Sequence, residues 1–343
     1  MTETIKNTIK ILQYQMLVPG PDCSAENGDG GLQTGVKTPE MVKTEALLLA
    51  EKACMEAAER GADMVCLPEM FCCPYETKNF PRYAEAGGQM GEDAETPHTE
   101  AGMVWKKCSA LAKEYGIYLA AGSMPELSME SDMGCMPMTR IFNTAYVFDR
   151  EGRQIAKHRK MHLFDIDVKG GQRFRESDTL TAGDEVTVFD TEFGRMGLCI
   201  CYDVRFPELA RLMALQGARM VLVPAAFNLT TGPAHWELVY RSEAMFNQMF
   251  YVATSPARDM GAGYHAWGHS MVADPWGAVV AMMNEKEGYQ VTEIDLSATE
   301  PIREQIPVLK QRRTDVYTLQ LCGEEHLARG PESEGWTARR PGV

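Results

Sequence analysis

No stretch of this chain stays apolar for long. Its strongest apolar runs, such as Met220 to Phe227, fall well short of the roughly 18 residues a membrane-spanning helix needs, so no membrane association is expected. Met1 to Met16 alternate charged and apolar residues and lack the apolar centre of an export signal. Positive charge is also in deficit: 34 Lys and Arg stand against 48 Asp and Glu, a net charge of −14. A nucleic-acid binder needs a cationic surface to displace counterions from phosphates, so nucleic acid is not an expected partner. A small-molecule substrate stays open, because a local cationic pocket can sit in an acidic protein. The ten cysteines are scattered, and neither Cys72-Cys73 nor Cys199-x-Cys201 has the two-residue spacer of common zinc or redox motifs. Reduced thiols in the cytoplasm fit this pattern better than a disulfide scaffold.

What is present is an ordinary globular composition, 45% hydrophobic and 24% charged. The 23 methionines read as adaptable core filling. The length admits one large domain or two ordinary ones. An internal echo narrows the choice. Gly61-Ala62-Asp63-Met64-Val65-Cys66-Leu67-Pro68 matches Gly217-Ala218-Arg219-Met220-Val221-Leu222-Val223-Pro224 in type at nearly every position. Each copy follows a helical pattern and reads as a short buried strand bounded by Gly and Pro. Helix-like stretches follow, near Thr99 to Tyr115 and Pro233 to Met249, then strand-like Tyr118 to Ala121 and Tyr251 to Thr254. Turns at Asp149 to Gly152 and Asp274 to Gly277 suggest a hairpin after each. Two such halves, each a sheet with helices on one face, must bury their free faces. The simplest solution is a four-layer α-β-β-α sandwich of two pseudo-symmetric halves in an α/β domain. Chance similarity of short apolar strings is the competing explanation.

Local signals agree. Thr38-Pro39 fits a helix cap and first position, and Met41 to Arg60 is rich in helix formers up to Gly61. Pro207 to Gln216 has an apolar face and stops before Gly217. Leu127 to Arg140 has no clear period and reads as a loop. A domain over residues 1–322 is expected, with a polar tail from Gly323 to Val343.

In layered α/β folds ligands gather at the carboxyl ends of strands. Glu69 directly follows one strand pattern. Cys201 follows the pattern Met196 to Ile200 and precedes the helix at Pro207, so it falls on a tight strand-to-helix turn. A free thiol has a pKa near 8.5 and needs a base or a positive charge to become a nucleophile. Glu69 could take the proton, and Lys160, within Lys157-His158-Arg159-Lys160, could supply the charge. Each residue also has an ordinary reading: an inert core thiol, a loop carboxylate, a solvated basic hairpin. Spacing alone does not assemble them.

Three blocks together do resemble something known: Leu67-Pro68-Glu69, Arg159-Lys160-Met161-His162-Leu163-Phe164-Asp165, and Cys201-Tyr202-Asp203-Val204-Arg205-Phe206-Pro207-Glu208. They look like the signature of the nitrilase, or carbon–nitrogen hydrolase, superfamily. Phe227 to Glu237, Ser255 to Asp259 and Ala266 to Ser270 are most similar to ω-amidases, which release ammonia from the terminal amide of 2-oxo dicarboxylic acid monoamides. The likeness covers roughly residues 8–320. It implies the α-β-β-α fold, Glu69 as general base, Lys160 as oxyanion support and Cys201 as nucleophile. It also places a second glutamate, which would hold Lys160 and the water, at Glu126. No metal or organic cofactor is implied, and a homodimer or larger homo-oligomer is. This sequence departs from its relatives at Cys199, at Cys72 and Cys73, and in the Leu127 to Arg140 stretch, which bears on substrate more than on chemistry.

The backbone amide of Tyr202 is expected to share the oxyanion with Lys160. Arg205 is the candidate partner for a substrate carboxylate, with a salt bridge to Glu208 or Asp203 as its ordinary alternative. Thr230 and Thr231 could cradle an anion or simply cap the following helix. Phe227 and Tyr75 are candidate pocket walls. Rival readings are a Cys–His pair using His162, His235 or His269, a cysteine-based metal or redox site, and a non-catalytic binding module. Within the superfamily, N-carbamoyl amino acids, deaminated glutathione and nitriles compete as substrates.

Overall fold

The computed structural model describes residues 5–20, 22–26, 32–95, 101–130, 138–167 and 173–321. The chain begins with β1 (Thr8–Gln15), buried from Ile11 onward as expected of an interior strand. A hairpin of β2 (Asp22–Glu26) and β3 (Leu32–Val36) leads into α1 (Pro39–Glu59). Thr38 caps α1, its hydroxyl accepting from Met41 N at 3.4 Å, and Pro39 takes the first turn, where no amide hydrogen is missed. The helix buries Val42, Ala46, Ala50, Ala53 and Ala57, a stripe of small side chains that lets it lie close on the sheet. Then come β4 (Met64–Cys66), the short α2 (Phe80–Tyr83), α3 (Met103–Tyr115), β5 (Tyr118–Glu130), β6 (Met138–Phe148) and β7 (Gln154–Arg159). A small hairpin, β8 (Asp165–Asp167) and β9 (Arg173–Arg175), closes the first half.

The second half runs β10 (Thr187–Thr191), β11 (Gly194–Leu198), α4 (Pro207–Leu215), β12 (Met220–Pro224), α5 (Gly232–Asn247), β13 (Phe250–Thr254), β14 (Met271–Ala273) and β15 (Val279–Met282). β16 (Gly288–Asp295) then returns to β1 of the first half, and α6 (Thr299–Gln305) follows. The sheets are ordered β16-β1-β4-β5-β6-β7 and β10-β11-β12-β13-β14-β15. Each has three parallel central strands, an antiparallel hairpin on one side and one antiparallel strand on the other. The echo in the sequence is thus an echo in topology.

The sheets meet face to face, with Cys66 and Ala120 against Leu198, Leu222 and Val252. Gln13 crosses the seam to donate to Ala253 O at 2.8 Å. The outer face of the first sheet packs Leu12, Val65 and Leu119 under α1 and α3, and that of the second lies under Met213, Trp236 and Ala244 of α4 and α5. These are the four layers of the expected α-β-β-α sandwich. The stretch Leu127 to Arg140 differs from expectation. Its described residues extend β5 and β6, paired as far as Glu130 with Met138. Met129 and Met138 are largely exposed, so no buried face imposes the alternation that marks a strand.

Residues Met1–Gln311 form one unit and Arg312–Val343 a second, whose described part contains an Arg313–Asp315 ion pair at 2.6 Å. The tail expected from Gly323 lies outside the described residues. Among the described residues no helix is long and apolar enough to cross a membrane.

Candidate active site

Glu69 leaves the end of β4 in a rigid frame. β5 bulges beside it, its register shifting between Ala120 and Ser123. Ser123 N donates to Pro68 O at 3.2 Å, and Ser123 Oγ accepts from Met70 N at 3.0 Å. Gly122 makes this approach possible: its φ is +58°, and a Cβ there would stand 2.1 Å from Pro68 O. Glu69 is therefore bonded on both flanks and its carboxylate is buried.

Lys160 follows β7 and is fully buried, a costly place for an ammonium unless it is paired. Its amide donates to Asn143 O at 2.8 Å, and its carbonyl accepts from Gly183 N at 2.9 Å. Its Nζ lies 2.9 Å from Glu69 Oε1 and 2.9 Å from Glu176 Oε2. Asn143 Nδ2 donates to Glu69 Oε1 at 2.9 Å, and Tyr75 OH donates to Glu176 Oε1 at 2.7 Å while lying 3.3 Å from Glu69 Oε1. All of these bonds to Glu69 fall on Oε1, while its buried Oε2 has no well-formed hydrogen bond. Burial pushes the Glu69 carboxyl above its ordinary range and Glu176 adds to this, with Lys160 opposing both. Burial lowers Lys160, but the two carboxylates outweigh it and keep the ammonium charged.

Cys201 opens a 3-10 turn (Cys201–Arg205) directly after β11. Its φ is +46°, a left-handed conformation unusual for a residue with a side chain, and the residue is buried beyond the strand end. The thiol lies within hydrogen-bonding reach of the Glu69 carboxylate, and Ala226 N donates to Sγ at 3.4 Å. Burial and the Glu69 charge push the thiol up, while Lys160 and the Ala226 amide pull it down. The thiol thus has a carboxylate and a buried cation beside it. Glu69, Lys160 and Cys201, widely separated in sequence, meet at one point.

The second carboxylate on Lys160 is Glu176, not Glu126. Glu126 accepts from Thr144 Oγ1 at 2.7 Å, from Arg159 Nε at 2.9 Å and from Lys157. Burial opposes its ionisation, but Arg159 and Lys157 hold it below the ordinary carboxylate range. Side chains alternate along β7, so Lys157 and Arg159 share the face of Glu126, while His158 and Lys160 point the other way. Glu176 went unnoticed because it follows a three-residue strand in a polar stretch. Asn143, in mid-strand, carried no signal beyond that of a buried polar residue.

Tyr75 is more than a wall, since its hydroxyl lies within the charged cluster and its ring stacks on Phe174 and meets Tyr264. Arg205 sits 4.7 Å over the ring of Phe227, with NH1 3.1 Å from His235 Nδ1. Among the described residues it makes no salt bridge, so neither Glu208 nor Asp203 neutralises it. Phe227 packs edge-on against Trp236. Thr230 and Thr231 amides both donate to Asn228 Oδ1, at 3.0 and 2.9 Å, as does the Thr231 hydroxyl at 3.1 Å. Asn228, rather than either threonine, caps this turn, which leaves those amides engaged rather than free for an anion. The Tyr202 ring packs edge-on against Phe164 and Phe206.

None of the three candidate histidines hydrogen-bonds Cys201. His162 bonds Asp203 and stacks on Phe206, His235 faces Arg205, and His269 bonds Trp267 O. Cys72, Cys73 and Cys199 are buried and unpaired. Among the described residues no His, Cys, Asp and Glu side chains are grouped to hold a metal ion.

The chain is similar to known proteins over most of its length. The profile of the carbon-nitrogen hydrolase family matches residues 33–304. The omega-amidase NIT2 of Xenopus tropicalis is 47% identical over 279 residues, 81% of this chain and 93% of that protein. The omega-amidase NIT2 of Homo sapiens is 46% identical over 280 residues, 82% and 94% of the two chains. The crystal structure of Saccharomyces cerevisiae Nit3, a member of branch 10 of the nitrilase superfamily, superposes with a TM-score of 0.72 at 35% identity, covering 91% of this chain and 99% of that one. By its layered fold and by a sequence match over most of its length, this chain belongs to the carbon–nitrogen hydrolase family of the nitrilase superfamily.

Proposed function

We propose that the chain is an ω-amidase: it hydrolyses the terminal amide of small carboxylate-bearing amides such as 2-oxoglutaramate and 2-oxosuccinamate and releases ammonia. The observation that carries this reading is the buried Glu69–Lys160–Cys201 cluster with an unneutralised guanidinium, Arg205, on the same turn as the thiol. The cluster supports amide hydrolysis; the guanidinium supports a substrate with a free carboxylate, which it can pair in bidentate fashion. The identity to omega-amidases supports the same choice.

In the proposed cycle Glu69 takes the thiol proton as sulfur attacks the amide carbonyl. The S–C bond forms, and the carbonyl π pair moves to oxygen. Lys160 and the Tyr202 amide stabilise that oxyanion in a buried site, where such donors are worth most. The oxyanion collapses, the C–N bond breaks, and Glu69 returns its proton to the departing nitrogen, giving ammonia and a thioester. Glu69 then takes a proton from water, whose oxygen attacks the thioester. Collapse releases the acid, and the thiolate recovers its proton from Glu69. A carboxyl raised by burial suits this exchange, because its greater basicity helps it take the thiol proton before passing it on. Glu176, Tyr75 and Asn143 hold Lys160 and Glu69 in register.

Incubating the protein with 2-oxoglutaramate, 2-oxosuccinamate, an N-carbamoyl amino acid and a nitrile, and measuring ammonia from each, tests the reading. The two oxo-amides should turn over fastest, and Arg205→Met should raise KM for them about a hundredfold. Faster release from the carbamoyl compound or the nitrile would replace ω-amidase with another hydrolase of the superfamily. We place the protein in the cytoplasm, where its thiols would stay reduced, and as a homodimer or larger. Leu238, Met245 and Phe246 form an exposed apolar face on α5 that supports self-association, which sedimentation velocity would test.

A further inference from the structure

Asp203, two residues past Cys201, is buried, and its carboxylate receives four hydrogen bonds, as many as its two oxygens readily accept. Oδ2 accepts from Ile200 N at 3.0 Å and from His158 Nε2 at 3.0 Å. Oδ1 accepts from His162 N at 2.9 Å and from His162 Nδ1 at 2.8 Å. Ile200 immediately precedes the thiol residue. His158 and His162 stand two residues to either side of Lys160. One carboxylate thus ties the turn that carries the sulfur to both flanks of the residue that carries the ammonium.

We propose that Asp203 is a positioning residue that fixes the placement of Cys201 Sγ relative to Lys160 Nζ. The inference rests on the catalytic reading above. Two observations make Asp203 more than core filling. Cys201 is held at φ +46°, which a residue with a side chain does not keep without support, and the Asp203–Ile200 bond spans that residue. Moreover, the two histidines reach Asp203 from the other half: His158 lies on β7 of the first sheet and His162 in the segment just past it, whereas Asp203 follows β11 of the second. Removing the carboxylate would free the two reacting groups from each other while leaving each local strand intact.

Asparagine is an informative replacement because it keeps the shape. A backbone amide donates on each side of the carboxylate, Ile200 N to one oxygen and His162 N to the other. Whichever way the asparagine turns, its NH2 faces one of these donors. One side must open, loosening either the sulfur turn or the Lys160 segment. Misplacement of about 1 Å costs on the order of a hundredfold in rate.

The test is steady-state kinetics on full-length Asp203→Asn with 2-oxoglutaramate, corrected for folded fraction. We expect kcat to fall about a hundredfold, with KM changed less than threefold because Arg205 is untouched. If that variant does not fold, His162→Ala decides. It removes one of the four bonds from a partly exposed ring, and kcat should fall several-fold while Tm stays within a few degrees. A merely structural role predicts the opposite: a lower Tm and unchanged kcat per folded molecule, which would overturn the proposal for either variant. Cys201→Ala, run in parallel, separates the two levels. If it keeps turnover, the catalytic reading itself has failed; if it is inactive while folded Asp203→Asn is fully active, only the positioning role has.

Discussion

The two halves share a scaffold and divide the chemistry. After β4 the chain reads Leu67-Pro68-Glu69-Met70, and β12 ends and continues as Val223-Pro224-Ala225-Ala226. At the matching strand ends the first half presents a carboxylate, while the second presents small residues whose amide, Ala226 N, points at the sulfur. The first half also supplies Lys160 from the end of its hairpin, and the second supplies the thiol from the end of β11. Repetition built the frame, and function lies where the repeats differ.

Breaking the division of labour should have graded effects. Cys201→Ala removes the group the second half contributes, and ammonia release should fall by about 10⁴-fold or more, with Tm little changed. Glu69→Gln removes the first half's proposed proton carrier and should cost about 10³-fold in kcat. Turnover near that of the unmodified protein would transfer the base role to another group. Lys160→Met should abolish activity and also destabilise, because Glu69 and Glu176 would be left facing each other in a buried site. Losing one partner of a buried ion pair costs about 3–5 kcal/mol, to be read from urea unfolding. Glu176→Gln and Glu126→Gln sharpen the same contrast: the first should lower kcat about a hundredfold, and the second, whose carboxylate has no hydrogen bond to Lys160, by less than tenfold.

The halves also differ in how they bury carboxylates away from the site, and here the effect is smallest. In the first half Glu85 is paired with Lys43 at 2.7 Å. In the second, Glu243 on α5 rests on the Asn247 side-chain amide at 2.7 Å, and burial raises its carboxyl from 4.5 to about 7. A folded-state value above the unfolded one gives stability that is complete below the unfolded value and is lost as pH rises through the folded one. The window is therefore about pH 4.5 to 7, and the loss amounts to roughly 3 kcal/mol. Glu243→Gln should raise Tm at pH 8 relative to the unmodified protein and give no such gain at pH 5. An equal effect at both pH values would remove ionisation as the cause.

Much of this was legible in the sequence, for identifiable reasons. Glu69 and Cys201 each end a short apolar strand, where pattern and turn chemistry are strongest, and the Gly-to-Pro echo exposed the two sheets. Lys160 was legible only through its motif, because a basic hairpin end is usually solvated. Glu126 was misplaced by one spatial fact: it shares a strand face with Lys157 and Arg159, and the alternation along β7 turns Lys160 away from it. Glu176 and Asn143 were hidden for a different reason. Their partners arrive from distant parts of the chain, and no local period records a hydrogen bond between residues 74 apart, as for Asn143 and Glu69. The threonines before α5 suggested a cap, yet the neighbouring Asn228 performs it, since its side-chain carbonyl accepts from three donors at once.

The central claim is a covalent bond between substrate and one particular sulfur, and acid-quenched mass spectrometry during turnover of 2-oxoglutaramate tests it most directly. The predicted result is a single acyl adduct on the peptide containing Cys201, absent from Cys201→Ala and chased by water in the native protein. An adduct on Cys72, Cys73 or Cys199, or steady ammonia release from Cys201→Ala, would contradict it.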